Sequence, residues 1–330
     1  MIDSPSAPFG AEGFLVGEIE MIVQPIDVLK QHEIRKTKKQ KQTFRDAVQG
    51  YFENFGYNVT IEKSIRGSQN IVVGDAENAK YLITAHYDTC ARMPFPNLIT
   101  PRSFWGFFGY QLLTTIILMM PTFLVYWLCY AIFGRPEIAF LCFYALLLAE
   151  LMMLRLGPAN PHTANDNTSG VVAVLQLAKM FSESQSKEIA FVLFDLEESG
   201  LVGSASYRRK HKKATSQQMN LNQECIGEGD ELWMFPSRKL RKATEKMQLL
   251  RKLTGQIGEK KIHLHEKGFY VYPSDQRNFP YGVGICALRK TLKGLLYMNK
   301  IHTKHDTVLD HENVNLLCQR LAELVGEAVQ

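Results

Sequence analysis

The sequence predicts an α/β fold in which helices cover a β-sheet, with a helical hairpin inserted into it. Short apolar runs with the length of buried strands alternate with longer segments of helical periodicity. Such alternation is typical of an α/β sandwich. A third observation, a long uncharged stretch in the middle of the chain, exceeds the length of any strand and predicts membrane-spanning helices.

The composition excludes several classes of protein. The chain has 330 residues and 46% hydrophobic residues, which is ample for a core, and its net charge is only +5. Basic residues cluster at 35–41 and 208–213, which we interpret as solvated surface, with contact to anionic lipid as the alternative. No nucleic-acid motif accompanies these clusters, so we expect no nucleic-acid partner.

The six cysteines and residues 1–20 carry information about the cellular compartment of the protein. Six cysteines are scattered without a paired motif, which favours reduced thiols and a cytosolic setting. Residues 1–20 carry acids and lack a basic start, so we do not expect a signal peptide there.

The elements of the predicted sandwich can be placed in chain order. A helix is predicted over residues 30–55, strands over 70–73, 81–85 and 189–194, an amphipathic helix within 164–181, and a last helix over 308–329. Thr168 or Ser169 is predicted to cap the helix within 164–181. In such sheets, functional loops lie at the carboxyl ends of the strands.

The inserted hairpin is predicted from residues 104–134 and 138–157. The first run has no charged residue, exceeds the roughly 20 residues needed to cross a bilayer, and carries aromatic residues towards its ends. The link at 134–137 suits the tip of a hairpin, and Pro121 is tolerated in membrane helices. A pair of apolar core helices or a dimer-forming cap is the alternative.

Charges predict the orientation of this hairpin. Arg102 and Arg155 flank it on the side of the basic clusters, whereas Arg135 lies at the tip, which predicts that the α/β part of the chain is cytoplasmic. Glu150 is costly in lipid and is expected to face the partner helix or an oligomer interface. A homo-oligomer through paired hairpins is possible, although no small-residue motif supports it.

Polar residues follow several predicted strands. A single histidine at a strand end is usually structural, but imidazoles and carboxylates together form a ligand set that suits zinc or a related divalent metal. The members of this set are His86, Asp88, Asp166, Glu197, Glu198, Glu224 and His302. Glu197 and Glu198 are adjacent and would repel each other unless a cation lay between them.

Six motifs give the chain a resemblance to a known family. They read HYDT (86–89), ANDNTSGVVAVLQLA (164–178), FDLEESGLVGSASY (194–207), IGEGD (226–230), SDQRNFP (274–280) and HTKHDT (302–307). In this order they resemble the co-catalytic zinc aminopeptidases of the bacterial leucyl aminopeptidase and aminopeptidase S type, whose relatives include glutamate carboxypeptidase II, glutaminyl cyclase and the transferrin receptor. The resemblance covers residues 30–330 outside the hairpin and implies a zinc-exopeptidase-like three-layer α/β/α sandwich with a mixed central sheet.

The resemblance also implies roles for individual residues. Asp166 would bridge two metal ions. The family uses zinc, and cobalt or manganese would suit the same ligands. His86 and Glu198 would be further ligands, and His302 would close the second site. Two such ions activate water and polarise a scissile carbonyl. Glu197 would be the general base.

The remaining site assignments also follow from the resemblance. Asp88 is grouped with the catalytic residues because it would fix the imidazole of His86. The family usually has aspartate where Glu224 stands, so Glu224 is the implied last ligand although its side chain reaches one methylene further. Asp275 and Arg277 are the implied substrate-binding residues, with an ordinary loop salt bridge as the alternative.

The implied function is peptide hydrolysis at a membrane. The expected protein is a membrane-anchored aminopeptidase with a peptide substrate, divided into an N-terminal extension (1–29), a catalytic domain (30–102 and 157–330) and the hairpin (103–156). The hairpin would either anchor the enzyme or present membrane-associated peptides. The alternatives are a one-zinc acyltransferase of the glutaminyl cyclase type and an inactive binding protein with the same fold.

Overall fold

A mixed β-sheet forms the centre of the computed structural model, which describes residues 22–182 and 187–329. The N-terminal extension therefore lies largely outside the described residues. Ten strands are found within the described ranges: β1 (Val59–Lys63), β2 (Gln69–Val73), β3 (Tyr81–His86), β4 (Ile189–Phe194), β5 (Met219–Gln223), β6 (Glu231–Pro236), β7 (Gly255–Ile257), β8 (Lys260–Leu264), β9 (Gly282–Lys290) and β10 (Leu296–Tyr297).

The middle of the sheet is parallel. The strand order is β1-β2-β4-β3-β5-β9-β6-β8-β7, and β10 pairs with β9. Strands β4, β3, β5 and β9 run parallel to one another, whereas β2 meets β4 and β6 meets β9 antiparallel. Strands β3, β4 and β5 are buried along their whole length. Burial on both faces is why β3 and β4 read as largely apolar runs, whereas β5 (MNLNQ) buries amide side chains and was not predicted as a strand.

Helices cover both faces of the sheet. Those of the described residues are α1 (Asp27–Gln31), α2 (Lys38–Asn54), α3 (Phe104–Phe133), α4 (Pro136–Leu156), α5 (Gly170–Phe181), α6 (Val202–Lys210), α7 (Thr244–Leu253) and α8 (His311–Val329). Helices α2, α5, α7 and α8 share one apolar core with the sheet, and α6 packs on the opposite face. The three-layer sandwich with a mixed sheet is therefore confirmed.

The predicted helix over residues 30–55 is wrong in one part. Helix α1 ends at Gln31, and α2 begins only at Lys38, after a capping box between Thr37 and Gln40. The chain is extended between them because Arg35 is fully buried and donates to the main-chain carbonyls of Tyr87 (2.5 Å) and His32 (2.7 Å). Burial lowers the pKa of Arg35 to about 10 against the opposing effect of nearby carboxylates.

The basic cluster at 35–41 is likewise not a solvated surface throughout. Besides Arg35, Lys41 is buried, and its Nζ lies 2.7 Å from Oδ1 of Asp195. Asp195 follows β4 directly, so this ion pair joins α2 to the carboxyl end of a central strand. Two charges are thus used inside the fold rather than at its surface.

The inserted segment forms two helices that pack along each other. Side chains interlock near the tip, where the rings of Tyr126 and Phe140 lie 4.9 Å apart and Thr122 and Ala139 are fully buried. Both helices are long and apolar enough to cross a membrane by length and composition. Most of their apolar side chains face outward; Trp105, for example, is 78% exposed.

The base of the hairpin is attached to the α/β sandwich. The ring of Phe104 packs edge-on against Phe269 at 5.4 Å, and the hydroxyl of Tyr110 donates to the carbonyl of Pro96. Glu150 lines a cavity that is also lined by Leu118 of the partner helix and by the loop before the hairpin. The domain and the hairpin therefore share a surface along the first turns of α3 and the last turns of α4.

Candidate metal centre

The candidate site lies at the carboxyl ends of the three central strands. His86 is the last residue of β3, Glu197 and Glu198 lie just beyond β4, and Glu224 follows β5. Asp166 reaches the same place from the turn before α5. Parallel strands end at one edge of a sheet, so the topology brings together residues that are far apart in sequence.

Asp166 is at the centre of the site. Its Oδ1 lies 3.1 Å from Nε2 of His86, and its Oδ2 lies 2.9 Å from Nε2 of His302. Nε2 of His302 also lies 3.3 Å from Oε1 of Glu198. Each oxygen of one carboxylate therefore faces a different imidazole.

The turn that carries Asp166 is held by a second carboxylate. Asp306 is fully buried and accepts hydrogen bonds from the main-chain N–H of Asn165 (2.7 Å) and of Asp166 (3.0 Å). The side-chain oxygen of Asn165 accepts from the N–H groups of Gly227 and Glu228. The turn is thus fixed from two directions, and the position of Asp166 with it.

The predicted cap of α5 is wrong. Ser169 makes no capping bond, and its hydroxyl donates backwards to the carbonyl of Asn165. The side-chain oxygen of Asn167 accepts from the N–H of Gly170 instead. A Cβ at Gly170 would lie 2.3 Å from the carbonyl oxygen of Gln223, so only glycine lets this turn approach β5.

Asp88 connects the histidine strand to the glutamate loop. One of its oxygens lies 3.6 Å from Nδ1 of His86, and its carboxylate accepts from the main-chain N–H of Glu197 (2.9 Å) and of Glu198 (3.3 Å). Asp88 therefore holds the loop that follows β4 by hydrogen bonds and places a carboxylate beside the imidazole, whose Nδ1 has no hydrogen-bond partner among the described residues.

Burial and charge shift the acids of the site in different directions. Burial raises the pKa of Glu197 well above its ordinary value, and the charges of Glu224, Glu198 and Asp275 add to this while His86 opposes it. The pKa of Asp166 is lowered: burial acts against this, but the hydrogen bonds from the two histidines outweigh it.

The pKa values of the two histidines are raised by nearby carboxylates. Burial on its own would lower the pKa of His86, but Glu197, Asp166 and Asp88 outweigh it and raise the pKa. The same holds for His302, whose pKa is raised against burial by Glu198 and Asp166. The carboxylates around the two imidazoles are thus the common cause of the raised pKa values.

Two groups of side chains are close enough to hold a metal ion. Among the described residues, ligand atoms of His86, Glu197 and Glu198 lie within 4.8 Å of one another, as do those of Cys90, Glu198 and His302. Two imidazoles with several carboxylates fit zinc, and cobalt or manganese suit the same donors. His86, Asp166, Glu198 and His302 are the residues that would hold the ions.

Cys90 was not among the residues that the sequence analysis selected. It is buried, and burial raises the pKa of its thiol. Its position two residues after Asp88, in the loop that leaves β3, is the sequence signal that points to it. Asp306 was also missed, although it lies within the motif that begins at His302.

Glu224 lies beside the centre rather than within either group. Its Oε2 accepts from the side-chain amide of Asn222 at 3.2 Å, and the same amide donates to Ser274 Oγ at 2.8 Å. Burial raises the pKa of Glu224, and the charges of Asp166 and Asp275 act in the same direction. Its role as a ligand stays a prediction.

The two predicted substrate-binding residues are separated. Asp275 is fully buried, and burial raises its pKa to about 7, partly opposed by His86 and a contact with Ser204. Arg277 is exposed. No ion pair joins them in the described part of the chain, so the alternative of a salt bridge between them is not what the structure shows.

A cleft of about 380 Å³ opens beside the metal residues. On one side it is lined by Glu198, His302 and Cys90, and on the other by Lys36 and the last turn of α4. The Nζ of Lys36 donates to the carbonyl of Arg155 at 3.2 Å, which ties the hairpin to the mouth of the cleft.

Comparison with known proteins gives both sequence and fold relatives. The sequence profile of Peptidase family M28 matches residues 152–328. Aminopeptidase YwaD of Bacillus subtilis (strain 168) is 37% identical over 67 residues, which span 19% of this chain and only 15% of the length of that protein.

Solved structures share the fold at low sequence identity. Glutaminyl cyclase of Porphyromonas gingivalis matches with a TM-score of 0.55 and 13% identity, over 92% of this chain and 97% of that chain. LapA aminopeptidase of Legionella pneumophila matches with a TM-score of 0.55 and 15% identity, over 91% of this chain and 68% of that chain. A leucine aminopeptidase precursor from Bacteroides thetaiotaomicron VPI-5482 matches with a TM-score of 0.54 and 14% identity, over 91% and 95%.

Proposed function

The chain belongs to peptidase family M28, and from this premise we propose that it is a two-zinc aminopeptidase held at a membrane by its hairpin. The observation that carries the proposal is the placement of Asp166, whose two oxygens face His86 at 3.1 Å and His302 at 2.9 Å. A carboxylate between two imidazoles is the arrangement that a ligand shared by two ions requires.

The residues around Asp166 support a hydrolytic mechanism. Two zinc ions, when bound, would lower the pKa of water and polarise the scissile carbonyl. Glu197 would take the proton from the attacking water and return it to the leaving amine, and its raised pKa suits that exchange. Asp88 would hold His86 and, through two main-chain N–H groups, the loop of Glu197.

The membrane location rests on the hairpin. Its two helices have the length and hydropathy of membrane spans, and their outward side chains are apolar. Arg102 and Arg155 lie at the base and Arg135 at the tip, which supports an integral membrane protein with its catalytic domain on the cytoplasmic side. The proposed partners are peptide substrates and the lipid bilayer, and a homo-oligomer through the hairpins remains part of the proposal.

A one-zinc acyltransferase of the glutaminyl cyclase type is the second candidate. It is favoured by one observation, the position of Glu224 outside both groups of metal-binding side chains and near the charges of Glu197 and Asp275. In that case the three acids would handle protons beside a single ion.

The deciding measurement is the metal content of protein purified in detergent without chelator, together with leucine release from a leucyl peptide. We expect about two zinc equivalents per chain and a lower content in Glu224→Ala, with the exposed Glu245→Ala as the matched control. One equivalent with cyclisation of an N-terminal glutamine would establish the acyltransferase. No zinc, even after its addition, would leave an inactive binding protein.

A further inference from the structure

The catalytic cleft is built partly from the hairpin. Leu154 and Leu156, in the last turn of α4, line the cleft together with Met93, opposite Glu198 and His302. Part of the apolar lining of the cleft therefore belongs to the same helix that would enter the membrane. A helix that only anchored the enzyme would not need to reach the metal residues.

A second cavity of about 380 Å³ lies between the hairpin and the loop before it. Leu118 of α3 and Leu146, Ala149 and Met153 of α4 form one wall, and Pro94 contributes to the other. This lining is almost entirely apolar. We call it the hairpin cavity.

The hairpin cavity and the catalytic cleft adjoin each other. Leu154 lines both of them. Met93 lines the cleft, and its chain neighbours Arg92 and Pro94 line the cavity. One leucine and one short stretch of loop thus separate the hairpin cavity from the space beside the metal residues.

Glu150 indicates what kind of molecule would occupy the cavity. Its Oε2 is inaccessible to solvent and accepts no hydrogen bond from any described residue. A buried acceptor without a donor is costly, so a ligand that supplies an N–H group would be favoured. A peptide offers apolar side chains and main-chain N–H donors together, whereas a lipid acyl chain offers no donor.

We propose that the hairpin cavity binds hydrophobic side chains of the peptide substrate on the leaving-group side of the scissile bond. The enzyme would thereby select peptides whose residues beyond the cleavage site are apolar, as in peptides that partition into a bilayer. This inference rests on the proposed aminopeptidase function, since it extends the cleft of that same site. Burial of apolar side chains supplies the selectivity.

The test compares Leu-Ala-Leu-Leu with Leu-Ala-Ser-Ser, which share the residues at the scissile bond. Leucine release is measured with the zinc-loaded full-length protein in detergent micelles. Ala149→Phe fills the cavity, and Ala131→Phe, on an exposed position near the hairpin tip, is the matched control. We expect Ala149→Phe to lose about tenfold or more in kcat/KM on the apolar peptide only, and Ala131→Phe to retain the parent values on both.

A binding measurement separates this inference from the proposed function. The N-acetylated apolar peptide with a C-terminal fluorophore should bind the parent protein and bind Ala149→Phe at least about tenfold more weakly. If the parent releases leucine from neither peptide, the proposed function fails, and the binding result alone decides whether the cavity takes a peptide. Should Ala149→Phe not fold, Leu118→Gln perturbs the same cavity from the other helix.

Two results would overturn the inference. In the first, Ala149→Phe changes kcat/KM equally for the two peptides, or for neither, and its binding of the acetylated peptide is unchanged. The second is an Ala149→Phe variant that no longer binds a fluorescent fatty acid but still binds the peptide as the parent does. That result would assign the cavity to an acyl chain.

Discussion

The adjacent residues Glu197 and Glu198 have different surroundings. Both lie in the group with His86, but Glu198 also faces His302 at 3.3 Å, and the pKa of Glu197 is raised. Neighbouring side chains that leave a strand point in different directions, so one can bind a metal while the other exchanges protons.

Glu197→Gln should abolish most of the activity while leaving the metal in place. Glutamine keeps the shape of the side chain but cannot accept the proton, so we expect kcat to fall by about 10²–10⁴-fold. Zinc content by elemental analysis and kcat on a leucyl peptide give the two readouts. Glu245→Gln is the exposed control. Loss of zinc in Glu197→Gln would instead make Glu197 a ligand.

Asp306→Asn should weaken zinc binding, because the Asp306 carboxylate holds the turn that carries Asp166. The amide offers one acceptor where two main-chain N–H groups now bond, so the turn with Asp166 would loosen. Changes of this kind cost about 10–100-fold in metal affinity, which competition with a chelator measures. Asp46→Asn on α2 is the control, and equal zinc affinities in the two variants would show that the turn holds without Asp306.

The residues that sequence reasoning missed share a physical reason. Asp306 bonds only to main-chain N–H groups, and Cys90 reaches the site through a loop whose path depends on the tertiary fold. The motif residues at strand ends were predictable because strand polarity alone brings them to one edge of the sheet. The contacts that orient them depend on turn geometry, which no spacing in the sequence encodes.

The elements of the fold also differ in how well the sequence predicted them. Strands β3 and β4 were predicted nearly to the residue because burial on both faces requires continuous apolar runs. The break between α1 and α2 was not predicted, since Arg35 reads as a surface charge in a basic run. Only the packed structure shows that main-chain carbonyls of Tyr87 and His32 receive its guanidinium.

The ion pair of Lys41 with Asp195 fixes α2 to the end of β4, so Lys41→Met should destabilise the protein. Asp195 would remain buried, accepting from the N–H of Gln69 at 3.0 Å but without its counter-charge. We expect a loss of about 3–5 kcal/mol in the free energy of unfolding, measured by urea denaturation in detergent.

The loss in Lys41→Met should depend on pH. Burial, and then the charge of Asp88, already raise the pKa of Asp195 above its ordinary 3.8, and Lys41 opposes this. Without Lys41 the folded-state pKa rises further, so the unfolded chain ionises first as pH increases. The deficit should therefore be small below about pH 4 and grow above it. Lys39→Met, at an exposed position of the same helix, should show no such trend, and a pH-independent deficit would contradict the explanation.

At the scale of the whole molecule, the hairpin is one continuous insertion in the sequence, but it packs against the rest of the protein. It springs from residues 103–156, between the strand with His86 and the turn with Asp166, and its last turn lines the cleft. An insertion at this point can alter the substrate range without changing the metal residues.

Replacement of residues 103–156 by a short Gly/Ser loop should give a protein that stays in solution without detergent. The exposed apolar faces of α3 and α4 would be absent, while the residues that would hold zinc remain. Partition between detergent and aqueous phases measures the first effect, and zinc content the second. Relative kcat/KM for apolar and polar peptides completes the comparison with the parent. An unchanged peptide preference would reduce the hairpin to an anchor.

The contacts at the base of the hairpin also determine how far the hairpin projects from the α/β sandwich. Pro96 contacts Tyr110 of α3, and Pro94 lines the hairpin cavity together with Leu118. About 24 Å of helix projects beyond Leu118 at 1.5 Å per residue. A bilayer core is about 30 Å thick. A hairpin that crosses it must draw Pro94 and Pro96 into the headgroup layer. The thickness of the host membrane would then set how deeply the mouth of the cleft is submerged, and a thicker bilayer would submerge it further.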